Sequence, residues 1–148
     1  MPDKIHLTVA TIVVKDNRYL MVKEIDNGQL VINQPAGHVE PGEDIIDAAI
    51  RETYEETGWH VAIKEFLGIY SATSSETGIT YYRLAFTGEA IALDKKAVID
   101  SDIEQVVWME SNEIHQNKDQ LRSELVIDCL KDYEQGKVFP LELFRNRL

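Results

Sequence analysis

With 148 residues, 44% of them hydrophobic and 28% charged, the chain has the length of one domain and the composition of an ordinary soluble globular protein. A formal net charge of −11 and the lack of any basic stripe argue against a general binder of nucleic acid or anionic membranes, and mean that an anionic substrate is repelled unless cations intervene. No apolar run approaches the roughly 20 residues that span a bilayer, the start Met1-Pro2-Asp3-Lys4 is unlike a secretory signal, and the single Cys129 has no internal partner, so the expected compartment is the cytoplasm.

His6 to Val14 is rich in β-branched residues and predicts a strand, well buried near its end. Asp16-Asn17 marks a turn, with Arg18 to Glu24 as the hairpin partner. Asn27-Gly28 is a second turn signal, Leu30-Val31-Ile32 a short apolar strand, and Asn33-Gln34-Pro35-Ala36 leads into the next segment. There Glu40-Pro41-Gly42 forms a turn, because proline presets φ and glycine supplies conformations that other residues resist. Asp44 stands where an N-cap belongs, with Asp47 as a weak capping-box partner near the positive helix end. The helix runs to about Thr57 and stops at Gly58, which suits a left-handed cap. Ile46, Ala49, Ile50 and Thr53 recur on one face that can pack on a core, whereas Glu52, Glu55 and Glu56 fall at i, i+3 and i+4 on another.

Trp59 to Tyr70 alternates loosely and ends extended, and the polar stretch Ser71 to Gly78 reads as a loop beside the cleft. Ile79 to Thr87 alternates well, placing Ile79, Tyr81, Arg83 and Ala85 on one face and Tyr82, Leu84 and Phe86 on the other. Ala90 to Asp102 is less regular, and Gln105 to Met109 is a strand. Ser111 caps a short helix through His115, and Leu121 to Gln135 has the spacing of an amphipathic helix that ends at Gly136 and cannot resume at Pro140. Cys129 lies within that helix and reads as a small buried hydrophobe. No repeat, low-complexity segment or internal boundary is visible, so residues 1–148 are expected to form one domain. Strands before and after a central helix, with another helix near the C-terminus, suggest an α/β fold in which a mixed sheet lies between helices.

The acidic helix face carries the chemistry. Like charges at helical neighbour spacing cost roughly 0.2–0.5 kcal/mol per pair, and Arg51 is the one cation within the helix. Three glutamates alone read as a solvated face. A divalent cation would also remove their conflict, since carboxylates are hard oxygen ligands and Mg²⁺ completes its shell with water and substrate phosphates.

The wider pattern decides between the two. Gly37, five residues to Glu43, seven to Arg51-Glu52, then Glu55-Glu56 and Gly58 resembles the Nudix box, with every fixed identity present at its spacing. Thr53 departs from the family, which usually has an aliphatic residue there; its methyl can face the core while its hydroxyl bonds back to the Ala49 carbonyl. The resemblance implies an α/β/α sandwich with a mixed central sheet, and an enzyme that hydrolyses phosphoanhydrides with Mg²⁺, or Mn²⁺ in its place. It also implies a metal set of Gly37 (through its carbonyl), Glu52, Glu55 and Glu56, with Glu52 either a ligand or the general base. Catalytic roles fall to Glu52 and Glu55, with Arg51 orienting carboxylates through either Glu55 or Glu43.

Outside the box, His38 is a candidate phosphate contact, Arg83 and Tyr81 could hold a phosphate and stack on a base, and a later loop with Asp100, Asp102 and Glu104 could add a carboxylate, Glu104 being the candidate chosen. Trp108 reads as core, and His115, Arg145 and Arg147 read as surface. Asn33 to His38, Asp100 to Ile103, Leu121-Arg122-Ser123 and Tyr133 to Glu142 resemble the bacterial NudJ-type branch of the family. That branch implies action on nucleoside tri- and diphosphates and on thiamine-pathway compounds such as hydroxymethylpyrimidine pyrophosphate. The alternatives are an ADP-ribose or nucleotide-sugar pyrophosphatase, disfavoured by Ser74-Ser75-Glu76 where that branch carries a proline, and a non-catalytic nucleotide-binding module. The expected partner is a small nucleotide or pyrophosphate, with no nucleic acid or membrane, in a monomer or homodimer.

Overall fold

A computed structural model describes residues 4–146; Met1 to Asp3 and the expected surface residue Arg147 lie outside them. The fold is built on β1 (Ile5–Lys15). Its partners are β2 (Arg18–Asp26) and β4 (Ala36–His38), both antiparallel, and β6 (Thr80–Leu93), parallel with Ile5 opposite Thr80 through Val13 opposite Gly88. The strand β5 (Trp59–Thr73) lies antiparallel against β6, while β2 also pairs with β3 (Gln29–Asn33) and β7 (Ile103–Met109). The order is therefore β3-β2-β1-β6-β5 in a mixed sheet.

Residues 9–13 of β1 are all buried, as a strand covered on both faces requires. One cover is α1 (Ile45–Thr57), whose Ala48 and Ala49 pack with Val9, Phe66, Leu84 and Phe86. The other is α3 (Leu125–Glu134), whose Val126, Cys129 and Leu130 join Ile12, Leu67 and Ala85. Neighbouring residues of β6 thus face opposite layers, and the α/β/α sandwich follows. Trp108 is half-buried with its ring edge on Trp59, 5.7 Å between centroids. No helix among the described residues is long and apolar enough to cross a membrane.

The local signals around α1 hold in detail. The Asp44 carboxylate accepts the Asp47 N–H at 3.1 Å, Gly58 has φ 79°, and the Thr53 hydroxyl donates to the Ala49 carbonyl at 2.8 Å. The buried face is wider than the expected one: Ala48, Glu56 and Thr57 are buried with Ala49 and Thr53, Ile46 packs on the core while half-exposed, and Ile50 is half-exposed. Backbone bonds then stitch the loop after β6 to the helix end, Asp94 N–H to the Gly58 carbonyl at 2.9 Å and Asp100 N–H to the Glu55 carbonyl at 3.0 Å. The Tyr54 hydroxyl adds a bond to the Asp94 carboxylate at 2.7 Å.

Four boundaries differ from expectation. Ser71 to Thr73 continue β5 because each finds a ladder partner on β6, so the polar loop shrinks to residues 74–79. β6 runs on to Leu93 for the same reason. The cap of α2 (Ser111–Gln116) is Glu110, which forms a capping box with Glu113, one residue before Ser111. Leu121 does not begin a helix: it bridges to Ile32 after a 3₁₀ turn, and the Ser123 hydroxyl accepts the Leu125 N–H where α3 begins.

Candidate active site

Gly37 reaches the site on the three-residue strand β4, opposite Val9. A Cβ there would come within 2.1 Å of the Glu52 carboxylate, so any side chain would push Glu52 out of its place beside Arg51. Glycine is thus demanded by close approach, since its φ is ordinary. Behind it, Glu56 is buried and accepts the Ala36 N–H at 2.9 Å, which locks β4 to the helix.

Arg51 takes both expected partners at once. Its Nε and Nη2 fork onto Glu43 at 2.7 and 2.9 Å, and Nη1 donates to Glu52 at 2.8 Å and Glu55 at 2.9 Å. Nη2 also donates to the His38 carbonyl at 3.0 Å. One guanidinium therefore ties the turn, β4 and two helix carboxylates together, as its five donors permit. The hydrogen bond from Arg51 holds Glu43 below the usual carboxylate range, and the bonds to Glu43, Glu52 and Glu55 push Arg51 up.

Carboxylate oxygens of Glu52, Glu55 and Asp100 all lie within 4.8 Å of one another. Burial raises the pKa of Glu52, helped by the charges of Glu55 and Asp100, and burial with Glu55 and Asp102 raises Asp100. Glu56 is pushed up to about 9, chiefly by burial and then by Glu24, Glu52 and Asp100, against the lowering effect of the Ala36 bond. All three shifts have one cause, negative charge held out of water with too few cations near it. Hard oxygen donors so crowded fit a divalent cation of the Mg²⁺ type.

The other expected site residues separate. His38 and Tyr81 come together: His38 Nε2 lies 2.9 Å from His6 Nδ1, and the Tyr81 ring meets both imidazoles edge-on, with centroids 5.2 Å from His6 and 6.5 Å from His38. Burial, with His6 and Arg122 nearby, lowers the His38 pKa. Arg83 does not join them as a phosphate holder. It is 6% exposed, and its fork donates to the side-chain oxygens of Gln34 and Asn33 at 2.9 Å each, while Gln34 donates on to the Val126 carbonyl. Arg83 therefore braces the segment that enters β4. Glu104 is exposed on β7 and outside the carboxylate cluster, where Asp100 stands instead. His115 is exposed beside Glu134 at 3.9 Å, and Arg145 is exposed.

Two residues escaped the sequence reading. Glu24 is buried on β2, and the Arg122 guanidinium bonds to it through Nη1. Arg122 had a signal only as part of Leu121-Arg122-Ser123; Glu24 had none, because a glutamate ending a hairpin strand is ordinarily solvated.

The NUDIX domain family model matches residues 4–129. The phosphatases NudJ of Escherichia coli and Shigella flexneri are each 35% identical over 140 residues, covering 95% of this chain and 90% of theirs. A NUDIX hydrolase from Nitrosomonas europaea is 39% identical and superposes with a TM-score of 0.94, over 97% of this chain and 98% of its own.

Proposed function

As a member of the Nudix family the chain is a pyrophosphohydrolase, and we propose that it is Mg²⁺-dependent and acts on nucleoside tri- and diphosphates or related pyrophosphates, by attack of water on phosphorus. The supporting observation is the convergence of Glu52, Glu55 and Asp100 within 4.8 Å. Glu55 and Asp100 of this cluster would hold the ion, together with the Gly37 carbonyl and Glu56, which is buried behind them. When bound, the ion neutralises phosphate charge and makes water more acidic. Glu52 accepts the proton of the attacking water: its carboxylate stands in the cluster against Gly37, and burial raises its proton affinity. Arg51 touches no substrate and serves by fixing Glu52 and Glu55 at 2.8 and 2.9 Å. Likeness to the NudJ phosphatases favours substrates that release inorganic phosphate, hydroxymethylpyrimidine pyrophosphate among them.

The test is phosphate release from a nucleotide panel with Mg²⁺. Activity is expected to vanish with EDTA, and Glu55→Gln to lower kcat by roughly 10²-fold or more while leaving the circular dichroism unchanged. Turnover that survives EDTA, or full activity in Glu55→Gln, overturns the assignment.

A further inference from the structure

We propose that Arg122 grips the terminal phosphate of the substrate, so that the enzyme favours pyrophosphates ending in an unsubstituted phosphate over diphosphates esterified at both ends. This rests on the hydrolase reading above and adds to it the residue that reads the terminal phosphate.

The argument begins with charge. Glu24, Glu52, Glu55, Glu56 and Asp100 gather in or beside the site, in a chain of net charge −11, so an anionic substrate needs a cation that is still available. Among the described residues, Arg51 is engaged by three carboxylates and a carbonyl, and Arg83 is buried against two amides. Arg122 differs from both. Its side chain is 43% exposed, although the Glu24 side chain that holds it through Nη1 is only 4% exposed. Nη2 makes no hydrogen bond among the described residues, Asp26 standing 3.9 Å from it, too far for one. One end of the guanidinium is thus anchored in the core and the rest is open to a ligand.

The backbone fixes Arg122 as well. Its N–H donates to the Ile32 carbonyl at 2.9 Å, which seats it beside β3, the strand that continues through Asn33 and Gln34 to Gly37. His38 and Tyr81 lie close enough to interact with its charge. A guanidinium held this way loses little freedom on meeting phosphate, and its planar fork matches two phosphate oxygens. A terminal phosphate offers more charge and more free oxygens than one esterified on both sides, which is the basis of the discrimination.

The experiment compares steady-state constants for ATP and ADP-ribose in the wild type and in Arg122→Gln, using inhibition by ADP-ribose if it is not turned over. The expected result is a rise of roughly 10–100-fold in KM for ATP, the loss of a charge-assisted contact, with kcat and the ADP-ribose constant nearly unchanged. Arg122→Lys recovers part of the loss. Because Arg122→Gln strips a buried carboxylate of its partner, Glu24→Gln/Arg122→Gln is measured beside it; it restores thermal stability but not KM. Recovery of KM in the double variant, equal losses on both ligands, or no change for ATP overturns the proposal and leaves the hydrolase reading intact. A wild type inert toward every pyrophosphate tried overturns the hydrolase reading, and this one with it.

Discussion

Glu56→Gln isolates the electrostatic cost of the candidate metal site. In the metal-free protein, burial and then Glu24, Glu52 and Asp100 raise the Glu56 pKa from 4.5 to about 9. A glutamine keeps the shape and can still accept the Ala36 N–H, so only the ionisable proton is removed. The native state holds a proton that the unfolded chain releases above pH 4.5, so this contribution is complete below that pH and drains away as pH rises through about 9. By pH 8 the chain has crossed about 3.5 pH units of this window, on the order of 5 kcal/mol at 1.36 kcal/mol per unit. At this chain length that corresponds to a fall of roughly 10–20 °C in Tm. Thermal melts in EDTA from pH 5 to 8.5 are expected to show the wild type losing stability relative to Glu56→Gln as pH rises. The difference between the two curves cancels the histidines, including His38, whose lowered pKa tilts both curves the opposite way. Mg²⁺ should flatten the wild-type curve by competing with the proton. Parallel wild-type and variant curves refute the reasoning.

Gly37→Ala would build a methyl 2.1 Å from where the Glu52 carboxylate stands and so displace Glu52, and kcat should fall roughly 10²-fold with an unchanged far-ultraviolet spectrum; a fully active alanine variant contradicts the packing described. Asp100→Asn should weaken Mg²⁺ activation roughly tenfold or more, measured as the metal concentration giving half-maximal rate, while exposed Asp102→Asn should leave it unchanged. Arg83→Leu abandons the Asn33 and Gln34 oxygens inside the protein and should cost about 2–5 kcal/mol in urea unfolding; a loss below about 0.5 kcal/mol would show the brace is dispensable. Thr53→Val restores the aliphatic character usual at that position and should change stability by under about 1 kcal/mol and kcat not at all.

What the sequence disclosed was set by how local each feature is. Asp44, Gly58 and the Thr53–Ala49 bond depend on neighbours within one helical turn, so residue type and spacing sufficed. Arg51 was read as choosing between Glu43 and Glu55, and it binds both, since the alternatives ignored how many donors a guanidinium carries. Glu56 looked like a third member of an exposed row. Its burial depends on β4, an Ala-Gly-His strand with no strand-forming residue type to announce it. Choosing among Asp100, Asp102 and Glu104 required knowing that the Asp100 N–H docks on the Glu55 carbonyl, a contact across 45 positions that no periodicity encodes. Arg83 shares a strand face with Tyr81 as alternation predicts, but alternation gives no depth, and depth turned a ligand candidate into a brace.

The stitching of the loop after β6 to the end of α1 has a practical corollary. Asp94 and Asp100 are held there by main-chain bonds, which any residue but proline can make, so the exposed positions between them, Lys95, Lys96 and Val98, are free to vary. Val98, 93% exposed midway along it, is a natural attachment point for a dye. Such a reporter would sit two residues from a candidate ligand without disturbing the carboxylate itself, and could follow ion entry in real time.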